Sequence, residues 1–396
     1  MRPDFQYAIV GRGLMGSAAA RHLAGQVEGV VLIGPDEPQD KATHDGVFAS
    51  HYDEGRITRT IDPDEIWARF ANRSIARYRE IEAQSGITFF SETGCLISGA
   101  TTGHAQDYVS DIRKASALLG AVTEDLDDAG LAGKFRYFSF PAGSDAVFEP
   151  KGAGYISPRR LVEAQTKCVE VRGSSVIRKR AVGVRPKGAY AEVTLADGEV
   201  ITAAKVLVAA GGFTNGQDLL PEPLDLKVYA RTVAFFELGE AEQTRLADMP
   251  SLIWEAEDPA LGIYLLPPIR YPDGRTYMKI GGDPVDIPLA SLSDIIAWFR
   301  TDGDVATRDH LVETMHRLVP DLRVLNITST SCVTSFTPTG YPAVGWTSEP
   351  TIAVLAGGCG AAAKSSDEIG RLGAELLLHG SIVDTAYTAD FKPRFL

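Results

Sequence analysis

The first forty residues alternate between short apolar runs and a glycine-rich turn. Residues 7–10 predict a buried strand, residues 17–23 place small and apolar side chains at helical spacing, and residues 30–33 predict a second buried strand. The sequence between the first strand and the helix is Gly11-Arg12-Gly13-Leu14-Met15-Gly16. This order of strand, glycine turn, helix and strand indicates a βαβ unit whose helix N-terminus can bind a pyrophosphate, although a glycine turn without a ligand is the alternative.

The rest of the chain mixes helical segments with short runs typical of strands. The predicted helices are residues 66–82, 161–171, 293–300, 307–318 and 361–378. The predicted strands are residues 175–177, 189–195, 205–210, 228–238, 262–266, 276–281 and 351–355, with short strand-like runs in 86–99 and 135–149. The last strand leads into Gly357-Gly358-Cys359-Gly360 and the final helix. The pattern therefore predicts an α/β fold.

Composition excludes several classes of partner. The chain has 396 residues, 39 Lys and Arg against 52 Asp and Glu, and a net charge of −13, which argues against nucleic acid and anionic membrane surfaces. No run of 18 apolar residues and no N-terminal signal sequence is present, so we expect a cytoplasmic protein with no membrane partner. The cysteines at positions 95, 168, 332 and 359 lack zinc spacing, the seven histidines are scattered, and no metal site is expected.

Eight short stretches, taken in order, resemble one family of flavoenzymes. They are the N-terminal glycine motif, residues 55–59, residues 147–150 with 154–156, residues 209–211, residues 262–264, residues 277–281, Ser331-Cys332, and residues 356–360 leading to Lys364. In this order they resemble the D-amino-acid oxidase superfamily, and within it the monomeric sarcosine oxidase branch. The resemblance spans almost the whole chain.

The resemblance implies a Rossmann-like FAD-binding domain and a second, mixed-sheet domain for catalysis. The FAD domain would combine residues 1–85, 150–222 and 327–396, and the catalytic domain residues 86–149 and 223–326. The cofactor would be FAD. The residues expected to bind it are Gly11, Gly13, Leu14, Met15, Gly16, Asp36, Arg56, Val182, Gly211, Cys332, Gly357, Gly358, Cys359 and Gly360.

The same resemblance assigns roles in catalysis. Arg59 and Lys364 would hold the substrate carboxylate, because a guanidinium fork and a second cation bind such a group well when shielded from water. Lys279 would activate oxygen. The alternative is that Lys279 is only an exposed residue on a strand of alternating polarity. His51, Tyr52 and Tyr264 are polar candidates to line the pocket.

Cys332 stands where the sarcosine oxidase branch attaches FAD covalently. The alternative is a buried cysteine that acts as a small apolar residue. The N-terminus of the helix after residues 357–360 would favour negative charge on the reduced flavin, and Arg56 would add to this effect.

Three departures from the family pattern bear on substrate and cofactor. Gly34 stands where the family normally has an acidic residue that accepts hydrogen bonds from the ribose hydroxyls. Asp36 is expected to take over that role. Asp283 stands where sarcosine oxidase has an active-site histidine. The segment 47–53 is also longer than in sarcosine oxidase, so sarcosine itself is not a safe expectation.

The expected activity is oxidation of the CH–NH bond of a small primary or secondary amino acid, with hydride transfer to FAD, imine hydrolysis and reduction of O2 to hydrogen peroxide. Arg231, Arg270 and Arg275 would suffice for a second carboxylate, as in iminodiacetate. One alternative is a dehydrogenase that passes electrons to a quinone or carrier protein, and another is a flavin-binding subunit without turnover. A plain NAD-binding module is disfavoured by the C-terminal glycine turn and helix. We expect a monomer or a small homo-oligomer.

Overall fold

The computed structural model describes residues 2–216 and 218–396. Its helices are α1 (Leu14–Ala24), α2 (Glu65–Ser85), α3 (Gly103–Leu119), α4 (Asp128–Lys134), α5 (Pro158–Val171), α6 (Glu240–Arg245), α7 (Leu292–Phe299), α8 (Val305–Leu318) and α9 (Ala362–His379). The strands up to the middle of the chain are β1 (Phe5–Val10), β2 (Val30–Ile33), β3 (Arg56–Thr58), β4 (Phe90–Ser91), β5 (Cys95–Ala100), β6 (Glu124–Leu126), β7 (Ser144–Glu149), β8 (Gly154–Ile156), β9 (Ser175–Ile177), β10 (Ala181–Pro186), β11 (Ala191–Leu195) and β12 (Val200–Val208). The later strands are β13 (Lys227–Glu237), β14 (Ser251–Glu255), β15 (Ile263–Arg270), β16 (Thr276–Gly281), β17 (Ile287–Pro288), β18 (Asn326–Phe336), β19 (Ala343–Trp346) and β20 (Ile352–Ala356).

The first sheet is built on parallel strands that are buried on both faces. β1 lies between β2 and β12, with Val10 opposite Ile33 on one side and Val208 on the other. β9 extends the parallel set beyond β2, and β20 extends it beyond β12. β10 and β11 add an antiparallel edge, as β19 does beside β20. This is the expected dinucleotide-binding architecture, in which ligands bind beyond the carboxyl ends of the parallel strands.

The second sheet is mixed and carries its own core. Its strands follow the order β17-β13-β16-β15-β14-β5-β7-β6. In addition, β18 pairs with β13 along the whole length of that strand. β14 and β5 form a parallel pair, whereas the other strand pairs of this sheet in the described residues are antiparallel. α8 covers one face, where Leu311, Met315 and Leu318 pack with Phe236 and Met278. A separate small sheet has the order β3-β8-β4.

One boundary of the predicted domains needs correction. The last FAD segment was predicted to begin at residue 327, but β18 lies in the second sheet. All eleven residues of β18 pair with β13, from Asn326 opposite Glu237 to Phe336 opposite Lys227. The chain therefore returns to the first sheet only after Phe336. β18 was not predicted, because its many Ser and Thr residues are typical of a loop unless the partner strand is known.

Most predicted elements exist, and the misses have local causes. β2, β9 and β16 have the predicted bounds. The run 135–149 forms a strand only from Ser144, because the aromatic residues before Pro141 pack into the core of the second sheet. α3 was not predicted, since most of its residues are polar and its sequence begins with a glycine. None of the helices in the described ranges combines the length and apolar content that a bilayer span requires.

Helices α1 and α9 pack against each other at unusually short range. A Cβ added to Gly370 would overlap Ala18 and lie 2.7 Å from the backbone nitrogen of Ala19. A buried charge cluster joins the same helices to α2, because Asp367 accepts from Arg21 at 2.5 Å and from Arg77 at 2.6 Å. Burial raises the pKa of Asp367, but His22 and the two arginines outweigh it and hold that pKa well below its ordinary value. The result is that both helix N-termini are fixed at the same end of the first sheet.

Replacing Gly370 by alanine should destabilise the protein. The new methyl group must push α9 away from α1, and overpacking of this kind costs about 1–3 kcal/mol of unfolding free energy. Urea unfolding followed by circular dichroism measures the change. The matched control is Gly133→Ala in α4, where no atom lies within 4 Å of the added Cβ. Equal stability of the two variants would contradict this account of the α1–α9 contact.

Candidate active site

A single large cavity of about 700 Å³ connects the predicted dinucleotide turn with the predicted substrate cations. It lies between the carboxyl end of the first sheet and the inner surface of the second. Its wall includes thirteen of the predicted site residues. They are Gly11, Gly13, Leu14, Met15, His51, Arg56, Arg59, Gly211, Tyr264, Cys332, Gly358, Gly360 and Lys364.

At one end, the cavity meets the N-terminus of α1. This helix begins after Gly13 with no side-chain cap and no acidic residue in its first turn, so its first N–H groups face the cavity without a side-chain partner. Gly11 has φ +115°, and a Cβ at Gly11 or at Gly16 would overlap backbone oxygen atoms. The turn therefore needs glycine at both positions, although only Gly11 lines the cavity. Such a terminus suits the pyrophosphate of FAD.

The end of β2 differs from what the sequence predicts for the adenosine ribose. Arg12 donates to the carbonyl oxygens of Gly34 at 3.1 Å and Pro35 at 2.9 Å, and it forms an ion pair with Asp36. A Cβ on Gly34 would lie 2.6 Å from the Arg12 backbone nitrogen, so Arg12 takes the space that an acidic side chain would need. Asp36 lines a smaller adjoining cavity and not the large one. Its expected position at the cofactor is thus not what the structure shows.

The opposite wall is the turn before α9, which carries three residues with positive φ. Gly358 and Gly360 line the cavity, whereas Gly357 packs on Thr337 and Cys359 turns its sulfur toward Thr337 Oγ1 at 3.9 Å. α9 itself starts without a side-chain cap and without an acidic first turn. Two helix N-termini, those of α1 and α9, therefore open onto one cavity. Val182 is not part of its wall, and the neighbouring Arg180 and Ala181 are.

The two predicted carboxylate-binding cations lie together, but a carboxylate of the chain already lies between them. Asp62 Oδ2 is 3.0 Å from Lys364 Nζ and 3.2 Å from Arg59 Nη2. Arg59 also donates to the Ile61 carbonyl at 2.6 Å and to the Tyr108 hydroxyl at 3.1 Å. Burial lowers the pKa of Lys364, and Asp62 opposes that shift. The group as a whole carries one net positive charge.

Lys279 is fully buried behind the cavity wall. Its Nζ donates to Asp53 Oδ2 at 2.6 Å and to the Gly55 carbonyl, and it lies 5.4 Å from the centre of the Tyr264 ring. Burial, with the nearby charge of Arg56, lowers the pKa of Lys279, while the contact with Asp53 stabilises its charged form. Lys279 itself does not line the cavity, whereas the neighbouring Tyr264 does.

His51 belongs to the dinucleotide end and not to the substrate end. A Cβ on Gly13 would lie 3.9 Å from His51 Nδ1. Burial and the charges of Arg12, Arg159 and Arg56 lower the pKa of His51 to about 3, so the ring is neutral at neutral pH. We therefore group His51 with the cofactor-binding residues. Tyr264 does line the deeper part, and burial raises its pKa to about 12, so that its hydroxyl stays protonated.

Cys332 lies on the cavity wall beside a cation. Its sulfur is 3.7 Å from Arg56 Nη2, and its backbone carbonyl accepts a hydrogen bond from Trp298 at 2.8 Å. Cys95 and Cys168, in contrast, are buried away from the cavity.

The predicted second carboxylate site is not assembled. Of the three arginines, only Arg231 lines the cavity, whereas Arg270 is exposed and Arg275 is an exposed side chain that pairs with Glu237. Arg231 is already paired with Asp286 at 2.8 Å and lies 3.9 Å from Asp283. Burial raises the pKa of Asp283 to about 6. The expectation of a free arginine cluster for iminodiacetate is therefore wrong.

Known proteins share the sequence pattern and the fold of this chain. The sequence model of the family described as FAD dependent oxidoreductase matches residues 6–376. The chain belongs to that family. The monomeric sarcosine oxidase of Bacillus sp. (strain NS-129) is 27% identical over 288 residues, which cover 71% of this chain and 69% of that enzyme. The monomeric sarcosine oxidase of Streptomyces avermitilis is 24% identical over 421 aligned positions, covering 100% of this chain and 99% of that enzyme.

Among solved structures, the fold is similar to that of NikD, an unusual amino acid oxidase essential for nikkomycin biosynthesis. The open form of NikD superposes with a TM-score of 0.77 at 20% identity, over 100% of this chain and 98% of that one. Membership of the FAD-dependent oxidoreductase family establishes this chain as a flavin-dependent oxidoreductase of the amino-acid and amine oxidase type.

The sequence analysis missed three wall residues of this family member, Asp62, Tyr108 and Glu255. Asp62 follows Arg59 by three positions but lies outside the predicted helices and strands, so no sequence pattern placed it beside Arg59. Tyr108 lies on α3 and Glu255 ends β14, and neither element was predicted. No sequence signal marks these two residues, because only the tertiary fold brings them to Arg59.

Replacing Asp62 by asparagine should strengthen the binding of carboxylates. The change removes the negative charge that competes for Arg59 and Lys364, so acetate should bind about tenfold more tightly to the FAD-loaded protein. Perturbation of the flavin absorbance during an acetate titration gives the dissociation constant. Asp107→Asn, an exposed position on α3, is the control with the same change in net charge. Unchanged or weaker acetate binding in the Asp62 variant would refute the competition.

Proposed function

We propose that the protein is an oxidase of the CH–NH bond of a small primary or secondary amino acid with one carboxylate. The observation that carries this proposal is the position of Arg59 and Lys364 on the wall of the same cavity as the N-termini of α1 and α9. When bound, FAD would supply the oxidant that accepts a hydride from the substrate carbon, and O2 would take the electrons to form hydrogen peroxide.

The residues of the chain would bind and orient the substrate. Lys364 has two N–H donors beyond its contact with Asp62, and Arg59 lies beside it, so a carboxylate at this point gains charge-assisted hydrogen bonds. Burial at this wall disfavours an ammonium group without a partner, which favours the neutral amine as the reacting form. The imine product would then be hydrolysed to an oxo-acid or aldehyde.

The charges at the site favour a sarcosine-like monocarboxylate over iminodiacetate. Asp62 leaves one net positive charge at the cation pair, and Arg231 is already paired with Asp286. A second carboxylate would have to displace one of these acidic side chains. The names of the relatives, monomeric sarcosine oxidases, support N-methyl amino acids as the first compounds to examine.

Anaerobic reduction of the bound flavin tests the proposed activity. A panel of small amino acids and N-methyl amino acids should bleach the flavin absorbance, and admission of air should restore it with one hydrogen peroxide per turnover. A flavin that air reoxidises slowly but a quinone reoxidises fast would favour the dehydrogenase alternative. A flavin that no amine reduces would favour a subunit without turnover.

Replacing Lys279 by methionine should slow reoxidation by O2. The variant removes the ammonium group that lies 5.4 Å from the centre of the Tyr264 ring, and a cation near the flavin would stabilise superoxide as it forms. We expect a decrease of about 100-fold in the stopped-flow rate of reoxidation, equivalent to about 2.7 kcal/mol of barrier. Lys227→Met, at an exposed position at the start of β13 in the same sheet, is the matched control. Equal reoxidation rates in the two variants would remove Lys279 from this role.

We further propose that Cys332 attaches FAD covalently. Its place on the cavity wall, 3.7 Å from the Arg56 guanidinium, supports this assignment. Acid precipitation of the purified protein should leave yellow colour in the pellet, and Cys332→Ala should release the colour into the supernatant. Cys168→Ala, at a buried cysteine in α5, should keep it in the pellet. Colour in the supernatant of the unmodified protein would disprove the linkage.

A further inference from the structure

The wall around the cation pair carries more negative charge than one carboxylate substrate requires. Asp62 already offsets one of the two cations, as the shared contact of its Oδ2 with Arg59 and Lys364 shows. Glu255, at the end of β14, lines the same cavity. With Glu255 ionised, this part of the wall has two cations, Arg59 and Lys364, and two carboxylates, Asp62 and Glu255. It is then electrically matched to a ligand that carries both signs of charge at this end.

Glu255 is the carboxylate of this wall that lacks a close partner. Its side chain is 17% exposed, and among the described residues the nearest basic side chain is that of His104, whose Nε2 is 3.9 Å away, beyond hydrogen-bond distance. A buried carboxylate without a donor is costly, so its presence at a cavity wall calls for a donor from the ligand or from solvent. Asp62, in contrast, has both cations within 3.2 Å.

Tyr108 is hydrogen-bonded to the cation pair and lies within the electrostatic influence of Glu255. Its hydroxyl accepts from Arg59 Nη2 at 3.1 Å, and the charges of both Arg59 and Glu255 act on that hydroxyl. Arg59 and Glu255 also act on each other, and burial raises the pKa of Glu255 more than His104 and Arg59 lower it. Glu255 therefore lies on the same wall as the group that would bind the substrate carboxylate, and within the reach of its field.

We propose that Glu255 forms a subsite for a second, unreacting ammonium group of the substrate, so that the preferred substrate class is the diamino monocarboxylic acids. The proposal rests on the proposed oxidation of an amino acid in this cavity. Arg59 and Lys364 would bind the carboxylate, and Glu255 would accept hydrogen bonds from the side-chain ammonium. Lysine and ornithine carry this combination of groups. Norleucine and norvaline have the same carbon chains without the ammonium, which makes them matched probes.

The first experiment compares these compounds on the FAD-loaded protein without oxygen. Both enantiomers of lysine, ornithine, norleucine and norvaline are titrated, and the flavin absorbance reports binding by its perturbation and oxidation of the amine by its bleaching. Lysine or ornithine should act at concentrations at least about tenfold lower than the uncharged counterpart, as expected for a hydrogen bond between charged groups. Equal concentrations, or no response to either diamino acid, would overturn the subsite.

The second experiment assigns the preference to Glu255. Glu255→Gln keeps the shape of the side chain and removes its charge, so within this variant lysine and norleucine, or ornithine and norvaline, should act at about equal concentrations. Glu257→Gln is the control, because Glu257 lies two positions away, is exposed and bonds only to Thr102 among its described contacts. A preference that persists in the Glu255 variant would overturn the assignment. A variant that loses the flavin is replaced by Glu255→Ala with the same two pairs of compounds.

The subsite and the proposed function fail in different ways. If sarcosine-like acids reduce the flavin and diamino acids show no advantage, the oxidase stands and the subsite is wrong. If no amine reduces the flavin, the oxidase is wrong. In that case a tenfold preference of diamino acids in the absorbance titration would still show that Glu255 binds an ammonium group.

Discussion

The close contact of α1 with α9 is the constraint on which the site depends. The two helices come from opposite ends of the chain, and they approach so closely only because Gly370 faces Ala18 without a side chain. Asp367, one turn into α9, is held by Arg21 of α1 and Arg77 of α2, which fixes the rotation of α9 as well as its distance. With α9 fixed in this way, its N-terminus and Lys364 face the cavity that the N-terminus of α1 also meets. The N-terminus of α1 and the cations Arg59 and Lys364, which we propose to bind an anionic dinucleotide and a carboxylate, thus share one support.

Features that depend on neighbouring residues could be predicted from the sequence. The parallel strand β2 has the predicted bounds because a strand buried on both faces is a continuous apolar run that ends at polar residues or glycine. Gly11 and Gly13 could be placed at a ligand because the strand, turn and helix around them are consecutive. The positions of Arg59 and Lys364 came from family resemblance, and the structure brings the two side chains together through Asp62.

Features that depend on partners far away in the sequence could not be predicted. Lys279 is separated from Asp53 by 226 residues along the chain, and no strand pattern reveals that its ammonium group is buried against that carboxylate and near the Tyr264 ring. Asp36 was expected at the ribose from its distance to the glycine turn, but Arg12 holds it at an adjoining cavity. β18 looks like a polar loop until β13 supplies its hydrogen-bonding partners along its full length. In each case the deciding contact is tertiary.

The acidic side chains around the substrate cations follow from the physics of buried charge. A cation taken out of water without a counter-ion costs several kcal/mol, so Arg59 and Lys364 need an anion even when no substrate is bound. Asp62 supplies that anion. The chain as a whole has a net charge of −13, so positive charge at this wall has to come from individual side chains placed there. The same acid then lowers the attraction for a substrate carboxylate, so selectivity at this wall must come from the whole set of charges and not from the cations alone. Glu255 adds a second negative charge, and its nearest basic side chain, that of His104, is 3.9 Å away. The set is therefore better balanced by a ligand that brings one negative and one positive group than by a simple anion.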